Sequence, residues 1–385
     1  MKLTFDSATM AQQLTVASRV LNNKNSFPIL DCFLFEVAED GSHVAITASD
    51  SENTLRIACP LVAFEPDADA AKRRFCVKAR LIMDALKEIP AQPVILTINM
   101  QTMEIRGDYA NGRFDIVGES ADGYPEPPVM GDNGVSVSLP SEQLIKAIES
   151  TQFALADDEI RPVMTGIFFD WTPEQLTCVG TNGKVLVRRS ILGGNGVVTP
   201  SAPTSFIMPK KAAAILRALT VKLDSDVDIT FTENHLLART GAFELHARLI
   251  DGRYPNYNSV IPKGNPYTAR ISTTDLIPAL RRVLTFANKD SSLVRLTLTA
   301  GDLRLSCIDV DYSMSAEETI RAEWNGPDGS LIGAKGSILL DVLAHLPGEV
   351  NISLSEPNRP MIFTPAEQDC TTTVLMLVMP MQLSD

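Results

Sequence analysis

The chain repeats one pattern of apolar and polar positions three times, at intervals of about 130 residues. The segments that open alike are "MKLTFDSATMAQQLTVASRVL" from Met1, "VSVSLPSEQLIKAIESTQFAL" from Val135 and "YTARISTTDLIPALRRVLTFA" from Tyr267. Each begins with a short alternating run, which is typical of a strand. Each continues with apolar residues three to four positions apart, which is typical of an amphipathic helix. Self-similarity of this kind indicates a repeat architecture.

The start of each predicted helix carries a hydroxyl side chain. Ser7, Ser141 and Thr273 each stand three residues before an apolar residue of the helical pattern. A hydroxyl in this place can accept a hydrogen bond from a free backbone N–H group of the first helical turn. We therefore expect these three residues to cap their helices.

A second, looser set of segments lies midway through each third of the chain. It comprises "RFCVKARLIMDALKEIP", "SFIMPKKAAAILRALT" and "SLIGAKGSILLDVLAHLP", each with a strand pattern, a basic residue and an amphipathic helix pattern. Alternating runs split by turn residues follow the helices, as in "QLTCVGTNGKVLVRRSIL". The pattern predicts an α+β protein of six β-α-β-β-β units, two in each of three similar domains.

The borders between the domains are predicted in the Gly/Pro-rich segments 128–134 and 262–266. They give domains over residues 1–130, 131–264 and 265–385. An Asp-Gly-Tyr-Pro turn precedes each border, in "SADGYPEPPVM" and, with one inserted residue, in "LIDGRYPNYNSVIP". We interpret this turn as the closing element of the first two domains.

Charge is unevenly distributed between the predicted helices and the rest of the chain. The formal net charge of −13 argues against a protein that holds nucleic acid by overall charge. The predicted helices (7–24, 78–89, 141–155, 210–220, 273–289 and 335–346) nevertheless contain thirteen basic and six acidic residues, or +7, and the remainder carries −20. Two interpretations stay open: a helix face that is basic for solubility alone, or a surface that meets a phosphate backbone without reading bases.

The cysteines indicate a reducing compartment, and the apolar segments are too short to cross a membrane. Six scattered cysteines, without a C-x-x-C pair, lie mostly in apolar runs, so we expect buried free thiols. No apolar leader follows Met1, and the longest apolar stretch, "VLMLVMPM", is too short to span a bilayer. We expect a cytoplasmic protein without a membrane partner.

No residue pattern predicts catalysis or a bound cofactor. The four histidines have no metal-ligand spacing with cysteine or with one another. The stretch "GTNGK" at 180–184 lacks the spacing of a phosphate-binding loop, and its Asn-Gly pair favours a hairpin turn. We expect no metal, no cofactor and no enzymatic activity. Two alternatives stay open, an enzyme on duplicated α+β units and a repeated scaffold that binds proteins but never DNA.

The C-terminal segment "TTTVLMLVMPMQLSD" is apolar almost to its last residue, whereas chain ends are usually polar and frayed. One interpretation is a last core strand. The other is a surface for partners, because the flexible thioethers of Met379 and Met381, on either side of Pro380, suit varied ligands.

Over its whole length the chain resembles the bacterial beta sliding clamps, the beta subunits of DNA polymerase III. The similar stretches include "FPIL" (27–30), "TQFAL" (151–155), "TNGKVL" (181–186), "DGRYPNY" (251–257) and "VMPMQL" (378–383). The resemblance implies three DNA-clamp domains per subunit and a head-to-tail homodimer, with helices lining a ring and sheets outside. Such a ring would encircle double-stranded DNA without sequence preference and make the polymerase processive.

The resemblance also implies a groove between the second and third domains that receives short peptide motifs. The implied partners are the DNA polymerase III alpha subunit, the clamp loader, other polymerases and repair proteins. The matching positions are Met164, Thr181, Lys184, Leu186, Pro255, Val260, Leu377 and Met379, with Pro380 and Met381 beside them. Lys184 stands where the family commonly has histidine, and Gln382 stands where it commonly has arginine.

Two further sets of positions follow from the resemblance and from the helix charge. The residues expected to face DNA are Lys24, Arg80, Lys146, Lys210, Lys211, Arg217, Arg281 and Arg282. The residues expected at the subunit interface are Arg113, Phe114 and Ile116 in domain one and Leu284 and Phe286 in domain three. In a loop that can touch DNA in clamps, Pro162 and Val163 replace aromatic residues and Asp158 replaces a neutral polar one.

Overall fold

The computed structural model describes residues 1–22, 25, 27–67, 73–131, 133–158, 160–194 and 196–383 of the 385-residue chain. Within these ranges the first third contains β1 (Lys2–Asp6), α1 (Ser7–Ala17), β2 (Cys32–Val37), β3 (His43–Ser49), β4 (Asn53–Pro60), β5 (Ala63–Glu65), β6 (Arg74–Lys78), α2 (Ala79–Lys87), β7 (Pro93–Ile98), β8 (Glu104–Tyr109) and β9 (Gly112–Val117).

The second third has the same order of elements. It contains β10 (Val135–Pro140), α3 (Ser141–Gln152), β11 (Gly166–Trp171), β12 (Gln175–Thr181), β13 (Val185–Leu192), β14 (Thr204–Pro209), α4 (Lys210–Thr220), β15 (Asp226–Phe231), β16 (His235–Arg239) and β17 (Phe243–Arg248). Short 3-10 turns occupy Pro28–Asp31, Ala121–Gly123, Pro162–Thr165 and Tyr257–Ser259.

The last third repeats the order once more. It contains β18 (Tyr267–Ser272), α5 (Thr273–Leu284), β19 (Leu293–Leu298), β20 (Asp302–Asp309), β21 (Met314–Arg321), β22 (Glu323–Trp324), β23 (Ser330–Lys335), α6 (Gly336–Ala344), β24 (Glu349–Leu354), β25 (Met361–Pro365) and β26 (Thr372–Val378). Apart from the short strands β5 and β22, the order β-α-β-β-β occurs six times, so the predicted α+β fold of paired units is confirmed.

The two units of each third exchange their first strands. β1 pairs with β7 of the second unit, and β6 pairs with β2 of the first unit. The other thirds make the same exchange, which gives six antiparallel four-stranded blocks: β1-β7-β8-β9, β6-β2-β3-β4, β10-β15-β16-β17, β14-β11-β12-β13, β18-β24-β25-β26 and β23-β19-β20-β21.

The sheets continue across the borders between the thirds. β4 pairs antiparallel with β17 in an eight-stranded sheet, and β13 pairs with β26 in a nine-stranded sheet. Residue contacts accordingly divide the chain into two compact units, a first unit of residues 1–141 with 214–249 and a second unit of residues 142–213 with 250–385. β9 and β21 are outermost strands of the two remaining sheets.

Apolar faces of the helices pack against the sheets. In the first unit α1 contacts α2, β3 and β4 and buries Met10 and Leu14. In the second unit α5 contacts α6, β20 and β21, with Leu276, Leu280 and Leu339 in one buried core. Burial of each such side chain contributes roughly 1.5–3 kcal/mol, which fixes the helices to their sheets.

The three hydroxyl residues predicted to cap helices do not cap them. Each is buried at the first position of its helix, and its hydroxyl donates to a carbonyl in the loop after the second helix of the same third. The pairs are Ser7 with Pro90 at 2.8 Å, Ser141 with Leu223 at 2.7 Å and Thr273 with Gly348 at 2.8 Å. The prediction was wrong because a buried hydroxyl must find a partner, and here a tertiary carbonyl supplies it.

The repeated Asp-Gly-Tyr-Pro turn makes the same contact in both places. The hydroxyl of Tyr124 donates to the carbonyl of Thr47 at 3.3 Å, and that of Tyr254 donates to the carbonyl of Val179 at 3.5 Å. Both rings are buried, and burial raises the pKa of both phenols. Each turn therefore anchors its segment to the middle strand of a block, β3 or β12.

Replacing Tyr124 with alanine is expected to lower the free energy of unfolding by about 3–5 kcal/mol, because a buried ring is lost and a cavity remains. Tyr124→Phe removes only the hydroxyl and should cost about 1 kcal/mol. Urea denaturation followed by circular dichroism measures both values. Equal losses in the two variants would show that the hydrogen bond, rather than the ring, stabilises the turn.

All six cysteines are free, and five of them are buried. Burial raises the pKa of the thiols, to about 11 at Cys32 and about 12 at Cys76. The expectation of buried free thiols is confirmed for these five, whereas Cys370 is exposed. In the described part of the chain, no helix is long and apolar enough to cross a membrane, and no group of three or more His, Cys, Asp or Glu residues could hold a metal ion.

Candidate functional site

The hairpin between β12 and β13 supplies one part of the predicted groove. Its turn contains Gly183 at a φ of +85°, a conformation that favours glycine. The side chain of Asn182 accepts from the N–H groups of Lys184 and Val185 at 2.9 and 3.1 Å, and the hydroxyl of Thr181 donates to the carbonyl of Val185 at 2.8 Å. The stretch "GTNGK" is therefore a hairpin turn, as predicted.

Strands β13 and β26 place two predicted groove residues side by side. Leu186 lies opposite Leu377 in the antiparallel register, and both side chains are buried. Just beyond this pair, the carbonyl of Lys184 accepts from the N–H of Met379 at 2.9 Å. Because opposite side chains of an antiparallel pair lie about 5 Å apart, Leu186 and Leu377 form a continuous apolar floor.

Further apolar residues, not identified from the sequence, complete this floor. Leu186 and Leu377 share a buried cluster with Val179, Ile207, Tyr254 and Ile362, against which Val163, Phe168, Ile250, Tyr257, Ile261 and Leu375 pack. The ring of Phe168 stacks on that of Tyr254, with 4.5 Å between the centroids. For Val179, Ile207, Ile362, Phe168 and Leu375 the one sequence signal is strand alternation, which every half-buried strand shows, so it could not identify them. Val163, Ile250, Tyr254, Tyr257 and Ile261 lie outside the strands.

Four predicted groove residues lie at the rim of the floor and are exposed or half-buried. The exposed fraction is 52% for Val260 and 41% for Met379, and the other two are Met164 and Pro255. Three of them directly adjoin a floor residue in sequence: Met164 follows Val163, Pro255 follows Tyr254, and Val260 precedes Ile261. The predicted groove residues on this surface therefore form two groups. Leu186 and Leu377 lie in the floor, and Met164, Pro255, Val260 and Met379 lie at its rim.

The C-terminal segment forms a core strand up to Val378, and the residues that follow leave the sheet. β26 ends at Val378, and the N–H of Met381 then donates to the carbonyl of Gly333 at 2.8 Å. A Cβ atom on Gly333 would lie 2.6 Å from the Met381 carbonyl oxygen, so this close approach requires glycine. Residues 381–383 therefore pass over β23, while Pro380 and Met381 keep partial exposure.

Basic groups lie at the hairpin beside the floor. Lys184 is exposed. The Arg161 guanidinium lies against the turn, since a Cβ atom added to Gly183 would be only 2.8 Å from it. Arg161 also bonds Asp158 at 2.9 Å and lowers the pKa of that carboxyl. In the floor, burial and a 2.8 Å bond to Asp170 raise the pKa of Tyr257 to about 12. A ligand at neutral pH would thus meet a protonated phenol in the floor and positive charge at the hairpin.

The helices end earlier than predicted, and their positive charge is smaller. The backbone tightens into turns with i→i−3 bonds after Ala17 and after Leu284, so residues 18–22 and 285–289 lie outside α1 and α5. The six helices contain eight basic and five acidic residues, a net charge of +3 where the sequence predicted +7. Of the other five basic residues, Arg19 and Lys289 lie in turns after a helix, Lys78 and Lys335 end the strand just before a helix, and Lys24 lies outside the described residues.

The predicted DNA-facing residues are on helices α2 to α5, with one exception. Those described are Arg80, Lys146, Lys210, Lys211, Arg217, Arg281 and Arg282, all exposed or half-buried, whereas Lys24 lies outside the described residues. Among these residues, Lys146 pairs with Glu142, Lys210 pairs with Asp157 at 2.6 Å, and Arg282 pairs with Glu318. Exposed pairs contribute at most about 1 kcal/mol, so a phosphate group could replace the carboxylate.

The predicted interface residues differ in their surroundings. On the outermost strand β9, Arg113 is exposed, and Phe114 and Ile116 are half-buried on one face. Beyond the end of α5, Phe286 is 44% exposed, whereas Leu284 packs against the core of its own domain. The structure therefore leaves Phe286 available to a partner and assigns Leu284 mainly to the interior.

Family models match nearly the whole chain. The N-terminal domain of the DNA polymerase III beta subunit matches residues 1–128, the central domain matches 138–256 and the C-terminal domain matches 258–382. The beta sliding clamps of Pseudomonas aeruginosa and Vibrio cholerae are both 27% identical over 385 residues, and each alignment covers 100% of both chains.

Solved structures show the same likeness. The crystal structure of the DNA polymerase III subunit beta from Pseudomonas aeruginosa has a TM-score of 0.89 at 26% identity and covers 100% of both chains. The beta subunit from the DNA polymerase of Streptococcus pyogenes has a TM-score of 0.90 at 19% identity over 100% of both chains, which shows the fold. The resemblance read from the sequence is confirmed, and the chain belongs to the DNA polymerase III beta subunit family, the non-catalytic sliding clamps of bacterial replication.

Proposed function

We propose that the protein closes as a homodimer around double-stranded DNA and tethers the replicative polymerase to it. The observation that carries this proposal is the way in which the four-stranded blocks join. Inside the chain β17 pairs with β4, and β13 pairs with β26. In both cases the last strand of a first β-α-β-β-β unit meets the last strand of a second unit.

Two last strands keep a free edge. β21 ends the first unit of domain three and β9 ends the second unit of domain one, and within the described ranges each pairs on one side only. A bare strand edge is a ready site for pairing with another chain. If β21 of each copy pairs with β9 of the other, two heterologous contacts close a ring.

A ring retains DNA by topology, so its contacts with the backbone can be weak and independent of sequence. The exposed basic residues of α2 to α5 supply such contacts, although the chain has a net charge of −13. Charge-based contacts of this kind weaken steeply with salt, because each one releases counterions from the DNA.

The groove supplies the tether. Its apolar floor of Leu186 and Leu377, with Val260 and Met379 exposed at the rim, fits a short peptide that binds through a few buried apolar anchors. We assign this role to segments of the DNA polymerase III alpha subunit, the clamp loader, other polymerases and repair proteins. The five buried free thiols accord with a cytoplasmic location.

Retention on circular DNA tests the proposal. Protein assembled in the presence of a closed circle should co-elute with it in gel filtration and should be lost when the circle is cut. Changing Lys210, Lys211 and Arg217 together to glutamate should reduce this retention and lower the slope of log K against log salt by about 0.9 for each lost phosphate contact. The variant should remain a dimer.

A control with the same change of net charge separates local from overall effects. Lys2, Arg239 and Arg359 are exposed and lie on strands or loops, so their change to glutamate should leave retention on the circle nearly unchanged. Equal losses in both triple variants would show that α4 does not face the DNA. A dimer that never stays on circles would favour the protein scaffold without DNA contact.

A further inference from the structure

The floor of the groove includes a charged residue, Arg188. It lies two residues after Leu186 in β13 and therefore on the same face of the strand. Its neighbours across the sheet are Val179 in β12 and Leu375 in β26. Val179 belongs to the buried cluster of the floor, and Leu375 packs against that cluster. The arginine is thus set into the apolar surface to which we assign peptide binding.

The guanidinium of Arg188 has few partners of its own. Among the residues that the structure describes, it donates to the side-chain oxygen of Asn258 at 3.4 Å, and no carboxylate oxygen lies within 4 Å of it. A bond of that length to a neutral amide is weak, whereas a guanidinium has five N–H donors. Asn258 belongs to the turn that directly precedes the rim residue Val260, so the guanidinium lies beside the groove.

The chain contains a second copy of this arginine. The pairing of β4 with β17 is the first internal junction between blocks, and that of β13 with β26 is the second. At each junction the tyrosine of the Asp-Gly-Tyr-Pro turn donates to one strand carbonyl, that of Thr47 or that of Val179. Arg56 lies opposite Thr47 as Arg188 lies opposite Val179, so the two arginines are equivalent.

The arginine of the first internal junction is neutralised within the chain. Arg56 forms an ion pair with Glu36 at 3.6 Å, and Glu244 lies directly opposite it in β17. One acid is therefore in contact and another is its partner in the sheet register. The first internal junction thus shows how this position of the block is satisfied when no ligand is needed.

The second internal junction offers neither acid to its arginine. In place of Glu244 it has an apolar residue, Leu375. In place of Glu36 it has Asp170, which stands at the same point of the preceding strand but accepts from the hydroxyl of Tyr257 at 2.8 Å. Within the described ranges, the arginine of the groove is therefore left without a carboxylate that its counterpart has.

We propose that a peptide bound in the groove supplies this carboxylate, from an aspartate or glutamate side chain that pairs with Arg188. The inference rests on the proposed tethering function and identifies the kind of peptide that the groove selects. A planar guanidinium can hold both oxygens of one carboxylate. Because Arg188 is half-buried already, a bound peptide would exclude more water from it and so strengthen the pair.

The strand geometry also predicts where the acid lies in the peptide. Arg188 is two residues from Leu186, which is about 7 Å along β13. An extended peptide rises by the same amount in two residues, so the acid is expected two residues from the apolar side chain that contacts Leu186. Lys184, on the other side of Leu186, is an exposed and flexible point charge that would attract acids without fixing their position.

Isothermal titration calorimetry with the full-length protein tests the proposal. The probe is a polymerase-derived clamp-binding peptide in which one aspartate is placed in turn at each position between and beside its apolar anchors. A matching set carries asparagine at the same positions. At the position two residues from the anchor, the aspartate peptide should bind roughly 10-fold more tightly than the asparagine peptide. In the Arg188→Gln protein this preference should disappear.

Arg56→Gln is the matched control, because it removes the same charge from the equivalent position of the first internal junction. It should keep the full preference for aspartate. Arg188→Lys keeps the charge without the planar fork, so it should retain only part of the preference. Thermal melting of the three variants shows whether each has kept its fold.

The outcomes separate this inference from the groove itself. If both peptide sets bind the wild-type chain equally at every position, the carboxylate contact is refuted while the groove stands. If Arg188→Gln weakens both sets by the same factor, the arginine serves only the shape of the groove, and the proposal is overturned. If no peptide of either set binds the wild-type chain, the groove is refuted and the contact with it.

Discussion

Changing Phe286 to aspartate is expected to yield monomers in sedimentation at concentrations where the wild-type chain is a dimer. The phenyl ring is 44% exposed in the single chain and would be covered by the second copy. An unpaired carboxylate in an apolar contact costs several kcal/mol. The dissociation constant should therefore rise roughly 100-fold or more, since each 1.4 kcal/mol is a factor of ten. Retention on circular DNA should be lost with the ring.

The second internal junction gives the physical reason for choosing this residue. Ala154 lies two residues beyond the end of α3, as Phe286 lies two residues beyond the end of α5. Ala154 is fully buried in one apolar cluster with Met376 and Val378 of β26. Phe114 and Ile116 lie on one face of β9, which ends a second unit as β26 does, so Phe286 is expected to meet them on the second copy.

The matched control for this change is Val129→Asp. Val129 is 93% exposed and lies outside this contact, so the same introduced charge should leave the dimer intact. A dimer of normal stability in a folded Phe286→Asp protein would refute the assignment. Thermal melting of both variants shows whether the fold has been kept.

Changing Met164 to glutamate is expected to weaken binding of a polymerase-derived clamp-binding peptide by roughly 30- to 150-fold, or about 2–3 kcal/mol. Met164 lies at the groove rim beside the floor residue Val163 and belongs to a different domain from the C-terminal segment. A carboxylate there would be desolvated by an apolar peptide anchor. Isothermal titration calorimetry measures the change in affinity.

The control for the groove is Val198→Glu, which puts the same charge on another exposed valine of the second unit. It should bind the peptide as the wild-type chain does. Unchanged affinity in a folded, dimeric Met164→Glu protein would remove Met164 from the groove. It would also leave the C-terminal segment with only its role as a core strand.

Periodicity alone was sufficient to predict the six β-α-β-β-β units, because each helix and strand buries one face and the spacing of apolar residues records that face. It did not predict which strands pair. β17 and β4 are distant in sequence, and alternation shows only that a strand has one buried face, not which neighbour lies at its edge. The exchange of first strands within each third was missed for the same reason.

In the candidate site, too, the sequence predicted the local features but not the contacts between distant segments. The hairpin at Gly183 follows from its Asn-Gly pair, and the apolar tail indicates both a strand and a surface. Ile362 could not be predicted, because its place in the floor depends on pairing with Leu377 across β25 and β26. The hydroxyl of Ser141 was assigned to a local cap because no local rule indicates the distant carbonyl of Leu223.

The continuation of the sheets across the borders also limits what can be removed from this chain. An excised middle third would expose β17 without β4 and β13 without β26, two bare edges in one small fragment. Such edges favour intermolecular pairing and aggregation. The thirds are therefore alike without being interchangeable. A chimera that replaces only one of them must supply matching edges on both sides, or the expressed protein will precipitate before it can assemble.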